Sequence, residues 1–557
     1  MIKIKNKQQL IIPGFEEWRN MFSPRKFKIV QKSWAGVFQE HILPLIPVKK
    51  MSKLYSSNHG RPGKELYSLM GAVILQQFFN LTDEETIAEL AFNQKWHFAL
   101  ECYDEADQLV SLKTLWTMRD QMLNYDLVSQ IFDLTTDKLI DFFDVDVSKQ
   151  RLDSVHVYSN MAHLGRIRIL SRTLISFLKN LKRRHPNIFS SKISSGIIEK
   201  YLQKRDSSYF SQTKPDKAQH TLEDIANDIY SLKLIFDMKK KVRRMNSFKL
   251  LERVFDEHCS VESGQVLIKS SKEVPSDSVQ NPSDPDAGYD AHKGKGYQTQ
   301  LSETYSTAED KKKSDKPILN LITYAETESA DKHDSHALEP ALKNMTERGH
   351  KMKTNLADTS YTSNKNVDKA AEYGVELIGP TPGKDSEERL SCFEFDSNND
   401  EIIYCLNDKR PDEIKHNKKS TITATWYKST CANCPYADIC STKKCKKGRK
   451  IYYTIASLKS FRRRQYEKSD EFIDKYRYRS GIEATNSRFI HMTSARRSRY
   501  RGLKKIRFGQ KLKALAINVF RVVKYLEKCT KNRTILQYFV DNFKFSLFFV
   551  PNLKNTV

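Results

Sequence analysis

QRLDSVHVYSNMAHLGRIRILSRTLISFLKNLKRRHP (Gln150–Pro186) decides the fold. Its first nine residues are rich in valine and place Leu152, Val155 and Val157 around Asp153, a pattern that predicts a strand. After Leu164 the apolar residues change to helical spacing. Strand candidates resume only at GYQTQLSETY and PILNLITYAE, so the helical stretch between them reads as a long insertion. A helix over SHALEPALKNMTERG, a strand at Lys353–Ala357, a helix at Asn364–Tyr373 and a strand at Val375–Ile378 then alternate as in an α/β core.

Working outward, residues 1–145 read as an N-terminal helical region. Residues 1–60 contain a short apolar stretch at Ile42–Val48, whose two prolines block a long helix. Helices are expected at Leu66–Phe79, after an N-cap at Thr82, and at Leu112–Leu123. Three short helices could form a helix-turn-helix with Lys113, Arg119 and Gln121 as groove contacts, or a bundle that only packs. Residues 146–160 hold the first core strand, 161–285 the helical insertion and loop, and 286–380 the continuation of the core. Residues 381–465 read as a β-rich insertion with a cysteine cluster, 466–525 as a basic helix with the last part of the core, and 526–557 as a C-terminal tail. The fold class expected is α+β.

The 557 residues carry 94 Lys and Arg against 68 Asp and Glu, a net charge of +26 that points to a polyanion partner. No apolar run approaches the roughly 18 residues of a membrane span, and MIKIKNKQQLIIPGF lacks the pattern of a secretory signal. Nucleic acid is therefore the expected partner and the cytoplasm the expected location. Nine cysteines form no disulfide framework, but Cys431, Cys434, Cys440 and Cys445 are clustered. Four thiolates suit a structural zinc knuckle, which would present Lys443, Lys444, Lys446, Lys447 and Arg449 to DNA. Unliganded cysteines in a reducing compartment are the alternative.

Three acids lie in distinctive surroundings: Asp153, Asp358 in NLADTSYTS and Glu483 in YRYRSGIEATNSRF. Asp153 and Asp358 each stand at or just beyond a strand, followed by small polar residues. On a continuous helix Tyr476, Arg479 and Glu483 share one face, so an acid and a cation could approach one phosphate. Carboxylates of this kind suit magnesium or manganese, whose ions activate a nucleophile and neutralise a phosphate. Asp331, Asp334 and Glu303 are rival acids, with Asp334 also fitting the role of helix cap. A basic series at Arg462–Arg464 and at Arg496, Arg497, Arg499, Arg501, Lys504, Lys505 and Arg507, interleaved with tyrosines, reads as a phosphate-tracking surface.

The joint order of these motifs resembles the DDE transposases of bacterial insertion sequences over roughly residues 60–525. DSVHVYSNMAHLGR resembles the first-aspartate segment, GYDAHKGKGYQTQLSETY the entry to the second strand and LADTSYTSNKNV the second-aspartate segment. Tyr476, Arg479 and Glu483 match the family's tyrosine, arginine and glutamate. The family's lysine seven residues further is Ile490 here, with Arg488 or His491 as replacements for its phosphate contact. The resemblance implies a ribonuclease H-like core in which Asp153, Asp358 and Glu483 hold two metal ions. It also implies cleavage at terminal inverted repeats, strand transfer into target DNA, and a homo-oligomer on DNA, associated with the nucleoid. Tyr476 and Arg479 would position the DNA phosphate, supported by Asn160 and His156. A nuclease that cuts without joining and an inactive DNA-binding descendant are the rival readings.

Overall fold

The computed structural model describes residues 4, 22–56, 63–162, 164–203, 217–314, 317–384, 388–396, 398–417 and 420–531. The quoted N-terminal segment, apart from Ile4, and the expected tail beyond Lys531 lie outside the described residues.

The N-terminal region is helical. Short helices at Pro24–Gln31 and Trp34–His41 precede α1 (Leu66–Phe78), α2 (Asp83–Phe92), α3 (Leu112–Asn124) and α4 (Leu127–Phe143). The two prolines of Ile42–Val48 restrict that stretch to a 3-10 turn at Leu43–Leu45 before a five-residue helix at Val48–Ser52. Thr82 caps α2 in a capping box with Glu85, which satisfies two of the otherwise unpaired donors at the helix start. Arg119 and Gln121 are already engaged. Arg119 pairs with Asp83 at 2.5 Å, and Gln121 accepts from the Tyr55 hydroxyl at 2.6 Å. These bonds give α3 a packing role through two of the side chains read as groove contacts.

The central sheet begins with β1 (Lys149–Tyr158). Helices α5 (Arg166–Arg184), α6 (Ala218–Phe236) and α7 (Asn246–His258) then build the insertion around its own core of Leu174, Phe177, Leu178, Phe236 and Phe248. A short hairpin, β2 (Cys259–Glu262) and β3 (Gln265–Ile268), closes it. The central sheet continues with β4 (Gly288–Asp290), β5 (Gly294–Thr304), β6 (Ile322–Ser329), β7 (Thr354–Ala357) and β8 (Glu376–Ile378). Its order is β6-β5-β1-β7-β8, with β4 extending the β6 edge of β5. The β1–β5 and β5–β6 pairs are antiparallel, whereas β7 and β8 run parallel to β1. Helices α8 (Leu338–Glu347) and α9 (Asn364–Glu372) connect the parallel strands, as parallel pairing requires.

Residues between β8 and the next helix form a separate layer. Strands β9 (Phe393–Phe395) and β10 (Ile402–Cys405) pair, while β11 (Glu413–Asn417), β12 (Thr421–Tyr427), β13 (Lys443–Cys445) and β14 (Gly448–Thr454) form a sheet ordered β11-β12-β14-β13. Buried Trp426, Ile451 and Tyr453 anchor its core. The chain returns through α10 (Ile455–Glu467), α11 (Asp470–Tyr476), α12 (Gly481–Thr493) and the long α13 (Leu503–Lys531).

A single hydrophobic cluster joins the N-terminal helices, sheet residues Val155, Leu301 and Ile322, and α13 residues Leu512, Leu515 and Val519. The N-terminal helices and the sheet therefore share one core. Among the described residues no helix is long and apolar enough to cross a membrane.

Candidate active site

Strand register brings the first two acids together. Leu152 of β1 faces Ala357 of β7 across a parallel pair, so the residues that follow, Asp153 and Asp358, emerge side by side where β7 ends. Asp358 then caps a 3-10 turn at Thr359–Tyr361, accepting from the Ser360 amide at 3.3 Å. Asp153 accepts from its neighbour's amide at Ser154, 2.9 Å away, and from the Asn486 side-chain amide at 3.0 Å.

The third acid arrives from the far end of the chain. Tyr476, Arg479 and Glu483 do not lie on one continuous α-helix: α11 ends at Tyr476, a 3-10 turn covers Arg477–Ser480, and α12 starts at Gly481. The break lies against Arg151 of β1. Arg151 donates to the Tyr478 carbonyl at 2.6 Å, and its guanidinium passes where a Cβ at position 481 would meet it at 2.0 Å. With glycine there, the guanidinium keeps that position without shifting.

Arg479 stands at the centre of the three acids. Its guanidinium lies 3.2 Å from Asp153, 3.7 Å from Asp358 and 2.9 Å from Glu483. Burial raises the Asp153 pKa; Arg479 pulls it back down, while Asp358 and Asp334 add to the rise. Tyr476 lies in the same field. Burial lifts its hydroxyl pKa, Arg479 opposes this, and Asp358 and Asp153 reinforce it. Two buried polar atoms among these residues have no hydrogen-bond partner: Arg479 Nε and Asn486 Oδ1. Asn486 went unnoticed in the sequence, although it lies three residues beyond Glu483, at a spacing that puts it on a neighbouring position of the helix.

The rival acids have other roles. Glu303 is fully buried between Arg151 at 2.6 Å and Arg521 at 2.7 Å, and it accepts from Thr485 of α12 at 2.7 Å. It ties α12 to the sheet. Asp331 lies against Ser329 and Lys332, on the side of the sheet edge where Gly288 approaches. Asp334 is not the helix cap: the His333 ring accepts from the Ser335 amide instead. Asp334 accepts from Gln300 at 2.9 Å and lies 3.7 Å from Lys293, which is itself 3.5 Å from the Ser154 hydroxyl. Lys293, on the β4–β5 hairpin, is thus a cation beside Asp334 and Ser154 that sequence reading missed.

Ile490 packs against the main hydrophobic core, while Arg488 and His491 are exposed. His156 is buried with both ring nitrogens unpartnered, and its pKa is lowered chiefly by burial. Asn160 accepts from Arg501 at 3.2 Å.

Arg496, Arg497, Arg499, Arg501, Lys504 and Lys505 are all exposed, on the loop from α12 into the first turn of α13. That loop is fixed to the strand carrying Asp153. The Tyr158 amide donates to the Arg496 carbonyl at 2.9 Å, Tyr158 and Arg497 form a parallel bridge, and the Arg496 guanidinium lies over the Tyr158 ring.

The cysteine cluster differs from its spacing. Cys431, Cys434 and Cys440 line one cavity with Cys405, whereas Cys445 lies outside that lining at the end of β13. Burial raises the Cys431 pKa, with Cys440, Cys434 and Cys405 acting in the same direction. Among the described residues no group of three or more His, Cys, Asp or Glu side chains is arranged to hold a metal ion. Around Asp153 the chemistry nevertheless suits a hard divalent cation, because three carboxylates surround a group that is already a cation, and Asn486, which donates to Asp153, has an unpartnered oxygen.

Two family models match the chain. The transposase DDE domain matches residues 404–523, which contain Arg479 and Glu483, and the transposase domain DUF772 matches residues 30–121. A search among curated proteins found no match. A cryo-EM structure of a piggyBac transposase synaptic complex with hairpin DNA aligns over 97% of this chain and 88% of that one, at 10% identity. Its TM-score of 0.28 is too low to inform on the fold.

Proposed function

We propose that this chain, which belongs to the DDE-type transposases, binds the terminal inverted repeats of a bacterial insertion sequence and catalyses metal-dependent DNA cleavage and strand transfer. The observation that carries the reading is the gathering of Asp153, Asp358 and Glu483 around the Arg479 guanidinium. The central strand order, with three antiparallel strands followed by two parallel to the first, supports a ribonuclease H-like core.

Asp153, Asp358 and Glu483 would hold magnesium or manganese, with Asn486 beside them; the bound ions would supply charge neutralisation and a more acidic water. Water attacks a phosphodiester at the element end, its P–O3′ bond breaks, and the departing oxygen is protonated to a free 3′ hydroxyl. That hydroxyl then attacks a target phosphodiester. One P–O bond forms, one breaks, and the leaving target 3′ oxygen takes up a proton. The exchange conserves bond type and needs no high-energy cofactor.

Arg479 has a second task. Its Nε lacks a partner, so rotation away from the acids presents the guanidinium to a DNA phosphate in a charge-assisted contact. Tyr476 lies beside the same phosphate. Lys293, beside Asp334 and the Ser154 hydroxyl, supplies a cation that Ile490 cannot. Arg496, Arg497, Arg499, Arg501, Lys504 and Lys505 track the DNA backbone toward the end of β1. Two element ends are paired by an oligomer of the chain, working on DNA in the cytoplasm.

The test is incubation of the purified chain with terminal-repeat DNA and magnesium, beside Glu483→Gln. Free 3′ ends and joined products from the wild type alone are expected. Cleaved ends that are never joined would favour a nuclease, and equal products from Glu483→Gln would reject the site.

A further inference from the structure

We propose that Cys405, rather than Cys445, completes a four-thiolate zinc site with Cys431, Cys434 and Cys440. The site is independent of the acids around Arg479. All four cysteines line a single cavity of about 30 Å³, together with Trp426 and Arg449. In sequence they read C-x25-C-x2-C-x5-C, so Cys405 is hidden from a search for close spacing.

The backbone is turned at two points as a knuckle requires. Cys405 opens a tight turn in which the Asp408 amide donates to the Cys405 carbonyl at 2.9 Å and Asp408 takes the left-handed conformation. Cys431 and Cys434 bracket a second turn with Asn433 in the same conformation. Two turns thus bring cysteines distant in sequence to the lining of one space, and four thiolates are the ligand set a tetrahedral zinc ion takes. Cys445, by contrast, sits at the end of β13 and pairs with Gly448.

The surroundings suit zinc bound by four thiolates, which carries a net charge of −2. Lys409 and Arg449 line the same cavity and offset that charge, while Phe393 and Trp426, stacked with centroids 5.4 Å apart, form its apolar wall. The Thr442 hydroxyl lies 3.0 Å from the Cys440 sulfur, placed to donate to a thiolate. Binding draws the sulfurs inward to Zn–S distances of about 2.3 Å. Because β14 runs directly into α10, the ion also fixes the layer from which the Glu483 segment departs.

The test uses the full chain, purified without chelator under reducing conditions. Metal content and mass-spectrometric thiol footprinting are measured before and after removal of metal by a chelator. About one zinc per chain is expected, with Cys405, Cys431, Cys434 and Cys440 protected from alkylation together and exposed together on chelation, and Cys445 reactive throughout. Cys445→Ser should retain zinc; Cys405→Ser should lose it; Cys405→His should keep it with one nitrogen in the X-ray absorption spectrum. A zinc-free wild type would overturn the proposal. So would protection of Cys445 with Cys405 reactive, read on the wild type and therefore unaffected by misfolding of a variant.

Discussion

Glu303 offers the most direct energetic test of how the third acid is held in place. Its side chain is fully buried, with Arg151 and Arg521 on its two oxygens and side-chain exposures of 12% and 13% for those partners. Thr485 adds a hydrogen bond from α12, and Arg521 also reaches the Thr485 hydroxyl. Glu303→Ala leaves two guanidinium groups facing each other in the interior without a counterion. Removing one member of a buried pair costs about 3–5 kcal/mol, so a loss in that range is expected. Glu303→Gln keeps a hydrogen-bond acceptor but not the charge, and should cost about 1.5–3 kcal/mol, the scale of a hydrogen bond to a charged group. Denaturant unfolding followed by tryptophan fluorescence reads both values, with the transition that includes the sheet fitted separately. Calorimetric titration of magnesium onto Glu303→Gln completes the test: unchanged stoichiometry is expected of an acid that positions α12 and does not touch metal. A Glu303→Ala cost below about 1 kcal/mol, the range of an exposed ion pair, would refute the reasoning, as would a lost metal site in folded Glu303→Gln.

Other consequences concern charge. Arg479→Gln removes the cation that competes for the three acids, so divalent-metal affinity without DNA should rise by about 10–100-fold, corresponding to one or two charge-assisted hydrogen bonds, while DNA cleavage falls; unchanged or weaker metal binding by calorimetry would argue against a competing guanidinium. Lys513 is buried, its pKa lowered to about 7 chiefly by desolvation and further by Arg499, against about 10.4 in an unfolded chain. Between these values the folded chain binds fewer protons than the unfolded one, so its contribution makes stability rise with pH from about 7 to 10, by up to ~1.4 kcal/mol per unit, and below about pH 7 the penalty is constant. Lys513→Met should remove that slope and stabilise the chain at neutral pH, as read from denaturation at several pH values. Charge reversal of Arg496, Arg497, Arg499 and Arg501 together should weaken DNA binding and reduce its salt dependence; an unchanged salt slope would place the DNA elsewhere.

Much of the central sheet was legible because its strands carry unmistakable local patterns. The valine-rich run around Asp153 and the short apolar run before Asp358 correspond to β1 and β7, and the capping signal at Thr82 is met by a capping box. What the sequence could not show was the price of burial at Glu303, since a carboxylate between two arginines 152 and 218 residues away looks like any surface acid. The kink before Glu483 was equally hidden. A 3-10 turn and an α-helix both bring residues three apart together, and Arg151, which contacts the break, lies on a distant strand. Cys405 escaped notice because a metal knuckle is recognised by close spacing, whereas its turn is brought to the others by strand pairing. The β2–β3 hairpin, only four residues to a strand, is too short for alternation to stand out.

Metal rescue tests the central claim most directly. Asp153→Cys and Asp358→Cys exchange a hard oxygen ligand for a softer thiolate, which disfavours magnesium more than manganese. With terminal-repeat DNA, both variants should bind DNA like the wild type, fail to cleave it in magnesium, and regain cleavage in manganese. Cleavage in magnesium at the wild-type rate by either variant would contradict the assignment of these acids as metal ligands.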